Sequence, residues 1–145
     1  MTLAMTVTER EAFLGALHVG VLSVAGEDGR GPLTMPIWYR YEPGGDVTIF
    51  TGRNARKMRL LREGVRCSLC AQDEAPPYKY VTVEGPVASV GTDGLAEERR
   101  LIARRYLGEE GGDAWCEATA ADAANEVVVR IRPERWLSAD FSKLG

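Results

Sequence analysis

Arg56 and Lys57 are the residues of this sequence best placed to hold a ligand, because their position contradicts local helix electrostatics. Asn54 has the side chain of an N-cap, and Ala55, Met58 and Leu61 follow on one helical face. The first turn of such a helix carries partial positive charge and favours acidic residues, yet it holds Arg56 and Lys57, with Arg53 just ahead. An anion lying on the free backbone N–H groups would reverse the sign of that interaction, and phosphate is the usual occupant. The competing reading is a solvated basic face. Arg59, Arg62 and Arg66 extend the cluster and stand out against a net charge of −3.

Other reactive side chains are few. There is no GxGxxG, no P-loop and no metal-ligand cluster, and the carboxylates form no recognisable catalytic pair. Glu84 is expected to pair with Lys79 or with a member of the basic cluster. His18 is the single histidine, so a Ser-His-Asp triad could be built only around it; its place at the end of an amphipathic segment suits a helix-end or interface residue better. Cys67 and Cys70 are spaced as C-x-x-C, but Val65 to Ala71 alternates like a strand. That sends the thiols to opposite faces with Cα atoms roughly 10 Å apart, too far for a disulfide. Such poverty fits a class in which a bound cofactor carries the reaction and the protein supplies anchorage, orientation and electrostatics.

The elements that must position these residues follow from hydrophobic period. Thr8-Glu9-Arg10-Glu11 reads as a capping box, and Phe13, Leu14 and Leu17 continue a helix from about Thr8 to His18. Val19 to Ala25 is a strand, and Leu33 to Tyr41 a longer one with Leu33, Met35, Ile37, Tyr39 and Tyr41 on one face. Pro36 cannot donate to a ladder, so that strand belongs at an edge, bulged or opened there. Pro43-Gly44-Gly45-Asp46 is expected to return the chain as a hairpin into Val47 to Thr51, which sets the Pro36 region beside the basic stretch. Val65 to Ala71 and the long Tyr78 to Val90 strand, bent at Gly85-Pro86, follow. Asp93 is read as the cap of a helix striped by Leu95, Ile102 and Tyr106 that ends at Leu107-Gly108. Gly111 to Ala124 has no clear pattern beyond a short helix around Trp115, and strands at Val127 to Ile131 and around Trp136 close the chain. Six or seven mostly sequential strands with three helices argue for a mainly β, α+β, antiparallel barrel with helices outside.

At 145 residues the expectation is one domain with a core that needs no disulfide or metal. Mild acidity gives no general case for nucleic acid or membrane, and no apolar run reaches membrane-spanning length. Residues 1–10 lack the pattern of a signal peptide, and the cysteine usage suits a reducing compartment, so a cytoplasmic protein is expected. Trp38, Tyr39, Tyr78 and Tyr80 give a small barrel more large side chains than one core readily hides, which points to a symmetric dimer.

In Leu33-Thr34-Met35-Pro36-Ile37-Trp38, Thr51-Gly52-Arg53-Asn54-Ala55-Arg56-Lys57 and Tyr78-Lys79-Tyr80-Val81-Thr82-Val83-Glu84-Gly85, the sequence resembles the pyridoxamine 5′-phosphate oxidase-like split β-barrel family, in particular its flavin/deazaflavin oxidoreductase branch. The resemblance covers Thr8 to Val90 well and the remainder loosely. It implies an FMN-binding split-barrel fold and a homodimer with the cofactor, FMN or F420, in the groove between subunits. It implies that Arg56 and Lys57, flanked by Arg53 and Asn54, hold the cofactor phosphate. Met35, Pro36, Ile37, Trp38 and Thr51 would border the ring, with Lys79 and Tyr80 at the site from the long strand. Pyridoxamine phosphate oxidases have Arg-Gln where Lys79-Tyr80 stands, and a C-terminal Arg/His substrate segment that Pro133-Glu134-Arg135-Trp136-Leu137 does not reproduce, so that reaction is not expected. The expected activity is hydride transfer between a flavin or deazaflavin and a small conjugated substrate. A flavin-binding carrier or sensor is the alternative, and a nucleic-acid-binding barrel is a third reading that the acidic charge disfavours. Arginines beyond the two that FMN needs tilt the cofactor expectation to F420, whose glutamate tail is an extended polyanion.

Overall fold

A strand of thirteen residues organises the sheet, and it does so by changing partners along its length. The structure, a computed structural model, describes residues 2–145. Seven strands alternate with two α-helices: α1 (Val7–Gly15), β1 (Gly20–Val24), β2 (Leu33–Ile37), β3 (Val47–Gly52), β4 (Arg66–Asp73), β5 (Lys79–Gly91), α2 (Leu95–Ala118), β6 (Glu126–Ile131) and β7 (Arg135–Asp140). All pairings are antiparallel, in the order β2-β1-β4-β5-β6-β3, with β7 also on β5. The first half of β5 lies between β4 and β7, whereas Val87 to Gly91 pair with β6 after a register shift. At the bend, a Cβ on Gly85 would stand 1.6 Å from the carbonyl oxygen of Arg132, so the β6–β7 connection touches the bare backbone there.

Period-two alternation builds the core. Gly20, Leu22 and Val24 of β1 face inward opposite Ile37, Met35 and Leu33 of β2, and Cys67, Leu69 and Ala71 of β4 continue that face to Val81 and Val83 of β5. The two cysteines diverge as expected: Cys67 is buried, its thiol pushed up to about 11 by loss of solvent, and Cys70 turns outward on the same strand.

The expected hairpin between the second and third strands is reduced to a single antiparallel bridge. β2 and β3 are the two ends of the sheet, and among the described residues one bridge, Arg40–Thr48 with its two hydrogen bonds of 2.9 Å, ties the segment after β2 to β3. The reason lies in burial. β3 is covered on both faces, which places it under α2 and beside β6, while past Ile37 the backbone N–H of Tyr39 donates to the Tyr106 hydroxyl of α2 at 3.1 Å and not to a strand. The helix therefore lies over the split. Its Glu98, 6% exposed, accepts two bonds from the Arg40 guanidinium, at 2.9 Å and 2.6 Å, beside the bridge.

Helix ends depart from the sequence reading. The capping box is Thr6 with Glu9, two residues earlier than expected: Thr6 Oγ1 accepts from the Glu9 N–H at 3.1 Å and Glu9 Oε1 from the Thr6 N–H at 2.8 Å. Both threonines precede a glutamate by three positions, so pattern alone could not choose. The Lys143 ammonium and the Thr6 backbone hold the Glu9 carboxyl down to about 2. α1 ends at Gly15, which leaves His18 outside the helix. α2 starts after Gly94 in a left-handed conformation, with no capping by Asp93. Its helical geometry breaks at Gly108, where an end was expected, and then resumes, with Gly112 against the backbone of Arg104 where a Cβ would come within 2.5 Å. A 3₁₀ turn over Ala120–Asn125 completes a segment whose pattern was unreadable because its helix is short and largely exposed.

Gly85→Ala should therefore destabilise the protein by about 3 kcal/mol in urea unfolding, since backbone cannot retreat as a side chain can. A change within error would show that the β6–β7 connection is free to move aside.

Candidate functional site

The basic stretch does not begin an α-helix. Ala55 is extended (φ −63°, ψ 147°) and precedes a single 3₁₀ turn, Arg56–Arg59, that receives no side-chain cap, so Asn54 does not cap it. One turn lacks the aligned peptides of a macrodipole, and the cations act from their positions instead. Leu61, fully buried, and the partly buried Met58 and Leu60 anchor the turn to the core. Its winding sends the two candidate phosphate ligands apart. Lys57 is half-buried in one cleft, whereas Arg56 is exposed beside another.

The Lys57 cleft has a volume of about 390 Å³ and is lined by Pro36, Ile37, Trp38, Phe50, Thr51, Lys57, Trp115 and Glu126. The edge position of β2 leaves backbone groups around Pro36 without a strand partner, as the proline implied. Trp38 stacks on Tyr106 at 4.9 Å and 7° and meets Trp115 at 5.5 Å, which in turn lies 5.9 Å from Phe50. These rings make one wall. Behind it Arg99, 4% exposed, lies 5.0 Å from the Trp115 ring centre and 5.6 Å from that of Phe50. Its Nε donates to Glu126 Oε1 at 2.7 Å and its Nη2 to the Thr119 hydroxyl at 2.7 Å. Burial pulls the pKa of Lys57 below its ordinary value, because no carboxylate is close enough to offset the lost hydration.

Of the residues nominated from sequence, Pro36, Ile37, Trp38, Thr51 and Lys57 share this cleft. Met35 faces the core; Arg53 and Asn54 are exposed on the turn, the Arg53 N–H donating to the Asn125 carbonyl at 2.5 Å. Arg56 joins Arg30, Arg59, Glu27 and Asp28 around a neighbouring cleft of about 330 Å³. Lys79 lies elsewhere, beside Glu9, Phe13 and Asp140 between α1 and the sheet, and Tyr80 is half-buried on the outer face of β5. The arginine row is also less free than its spacing suggested. Arg66 is held by Glu84 at 2.7 Å and Glu134 at 2.6 Å, and Arg59 by Glu27 at 3.1 Å.

Phe50, Arg99, Trp115 and Glu126 were not singled out by sequence. Phe50 looked like one more strand residue, and Trp115 fell in the stretch without pattern. Arg99 follows Glu98 in a helix of low apolar contrast, and only the fold shows both to be buried. A larger cleft of about 510 Å³ lies between α1 and α2, but its cations are committed: Arg40 to Glu98, and Arg105 to the carbonyls of Gly15 at 2.9 Å and Ala16 at 2.5 Å. Glu11 and Glu42 flank it and, with both its arginines already bonded, no uncommitted cation of the lining offsets them, so it does not suit an anionic ligand. His18 stacks on Phe13 at 4.2 Å with Nδ1 3.7 Å from Asp73, and among the described residues no group of three metal-binding side chains exists. Nor is any helix of the described residues long and apolar enough to cross a membrane.

A family model described as pyridoxamine 5′-phosphate oxidase matches residues 7–139. Among solved structures, a conserved hypothetical protein from Mycobacterium tuberculosis is similar with a TM-score of 0.80 at 24% identity, covering 99% of this chain and 89% of that one. An F420 reductase has a TM-score of 0.70 at 22% identity, over 88% and 94% of the two chains. An FAD-binding protein from Mesorhizobium loti has 0.63 at 22%, over 92% and 93%. At these identities the likeness is one of fold. No curated protein matches the chain.

The half-buried, unpaired Lys57 should weigh on the folded state. Its folded pKa is lowered, so the unfolded chain holds the proton more tightly, and the cost is present while both states are protonated. Lys57→Met should thus leave the protein no less stable at neutral pH, and any gain should vanish as pH rises through the lowered pKa toward the ordinary 10.5. Unfolding curves over that range that show a constant loss of stability would overturn the assignment.

Proposed function

This chain belongs to the pyridoxamine 5′-phosphate oxidase family and has its split-barrel fold, and we propose that it binds a phosphorylated flavin or deazaflavin, FMN or F420, and transfers hydride between it and a small conjugated substrate. The observation that carries this reading is the cleft itself: an aromatic wall, an edge strand with open backbone, and one poorly solvated ammonium at its end. The bound cofactor would supply the hydride chemistry. Lys57 would neutralise its phosphate, Trp38, Trp115 and Phe50 would hold a planar ring and exclude water, and Pro36 and Ile37 would border its edge. The names of the similar F420 reductase and FAD-binding protein agree with a cofactor of this class.

The cleft is open, and a second copy of the chain is the partner that would close it. Register aligns Pro36, Val21, Cys70, Thr82 and Leu137 in one outward row across five strands. Leu137 is 61% exposed, and Pro36 belongs both to this row and to the cleft. A row of apolar and small residues that runs into the binding cleft suits an isologous contact.

The arginines now bear differently on the choice of cofactor. With Arg66 and Arg59 in ion pairs, the cations beside the cleft that could meet a glutamate tail are Arg30 and Arg56. F420 remains the favoured cofactor, through that neighbouring cleft. Titration of the purified protein with each compound should show Lys57→Ala weakening both by roughly tenfold, the loss of one charge-assisted contact. Arg56→Ala should weaken F420 more than FMN, and more at low salt than at high. Equal affinities in wild type and Lys57→Ala would reject the cleft as the phosphate site. Sedimentation should give a dimer at micromolar concentration, and Thr82→Lys, which sets like charges into the row, should give a monomer with weakened cofactor binding; a monomeric wild type with full affinity would reject the shared groove.

A further inference from the structure

Glu126 is anomalous in a cleft that would receive a phosphate. It is a carboxylate, 14% exposed, on the same surface as Lys57. Left alone it would repel the ligand's phosphate. Arg99 prevents this: its own side chain is 5% exposed, and its Nε bond to Glu126 Oε1 leaves the three groups one positive charge in excess. The pair thus keeps a strong acceptor in the cleft without making the cleft neutral.

Only one oxygen of that acceptor is engaged. Among the described residues no hydrogen bond reaches Glu126 Oε2, while Nη2 of Arg99 donates to the carbonyl and hydroxyl of Thr119. An ionised carboxylate can only accept, so a ligand satisfies it by bringing an O–H or N–H. Position decides between these. Glu126 pairs with Gly52 at the strand end that leads to the 56–59 turn, so it stands toward the Lys57 end of the cleft. In FMN and F420 alike the group next to the phosphate is a hydroxylated chain, and the ring N–H is remote from it.

Resting on the cofactor reading above, we infer that Glu126 is a specificity-determining residue whose free carboxylate oxygen accepts hydrogen bonds from the polyol chain of the cofactor, and that Arg99 is its positioning residue. The contact selects a sugar-alcohol side chain over a bare ring, independently of the phosphate.

Phosphate-free probes isolate this contact from Lys57. Riboflavin has the polyol and lumiflavin does not, and the corresponding 5-deazaflavins with and without the chain form a second pair. Titrated by fluorescence, the wild-type protein should bind the polyol-bearing member of each pair about tenfold more tightly, as expected for hydrogen bonds to a charged acceptor. Glu126→Ala should reduce that preference to about twofold while leaving lumiflavin affinity unchanged, and Glu126→Gln, which keeps an acceptor oxygen, should retain most of it. Arg99→Lys, which cannot span Glu126 and Thr119 together, should lower the preference as Glu126→Ala does. Should Glu126→Ala fold poorly, Glu126→Met, of similar bulk and without an acceptor, takes its place. An undiminished preference in the alanine or methionine variant overturns the inference but not the cofactor reading. A wild-type protein that binds every probe without preference does the same. Binding of none of the probes, nor of FMN or F420, overturns both.

Discussion

The bend in β5 is the constraint from which the rest follows. A straight strand of that length would extend one flat sheet, with its far half outside any core. Changing partners after Pro86, with a register shift between Val87 and Ser89, it gives its first half to β4 and β7 and its second to β6, so the sheet curls and its ends turn toward each other. The bend needs a residue without a side chain, because the Arg132 carbonyl occupies the space a Cβ would take. Curling without closure is the outcome. β2 and β3 approach but exchange only the Arg40–Thr48 bridge, and everything of interest is at that incomplete seam.

A seam in a sheet is a liability, because it exposes unpaired backbone and the apolar layer beneath. Here α2 covers it with two consecutive buried charges pointing to different tasks. Glu98 pairs with Arg40 across the bridge, and Arg99 reaches Glu126 and Thr119 behind the aromatic wall. Buried pairs contribute little net stability but are costly to break singly, about 3–5 kcal/mol, so they fix arrangement more than they add strength. The same two residues therefore hold the helix to the split and set the cleft's geometry. Structural and binding roles cannot be separated at this helix, which is why its burial pattern breaks the apolar stripe.

What the sequence revealed divides along the range of the interactions involved. Strand positions, the edge character of Pro36, the divergent cysteines and a break at Gly108 are local consequences of residue type, and all are present in the fold; the bend expected at Gly85-Pro86 has its counterpart in a register shift slightly later, between Val87 and Ser89. The β2–β3 hairpin was a local inference defeated by a long-range one: β3 is buried on both faces and follows α2 and β6, although turn residues precede it. The anion-site argument about Asn54 assumed a helix longer than the one turn that forms, yet Lys57 still reaches the cleft because Leu61 pins the turn. Within residues 109–125 the sequence offered a short helix around Trp115, which is present, but not its place in the cleft, since a largely exposed helix has no stripe that shows which way it faces.

Counting cations along a sequence measures charge density, not availability. Arg59 and Arg66 belong to the same basic run as Lys57, but each has a carboxylate within 3.1 Å, and Arg66 has two. Lys57 has no such partner among the described residues, and unlike the exposed Arg53 and Arg56 it is one whose charge burial disfavours. That combination distinguishes a binding group from a structural one: a structural cation is satisfied within the chain, whereas an unsatisfied one lowers its folded stability until an anion arrives. Glu126 likewise keeps its second oxygen without a hydrogen-bond partner among the described residues. The two opposite, half-satisfied groups in one aromatic cleft describe a ligand by complement, a planar ring whose flexible arm carries hydroxyls and then an anion.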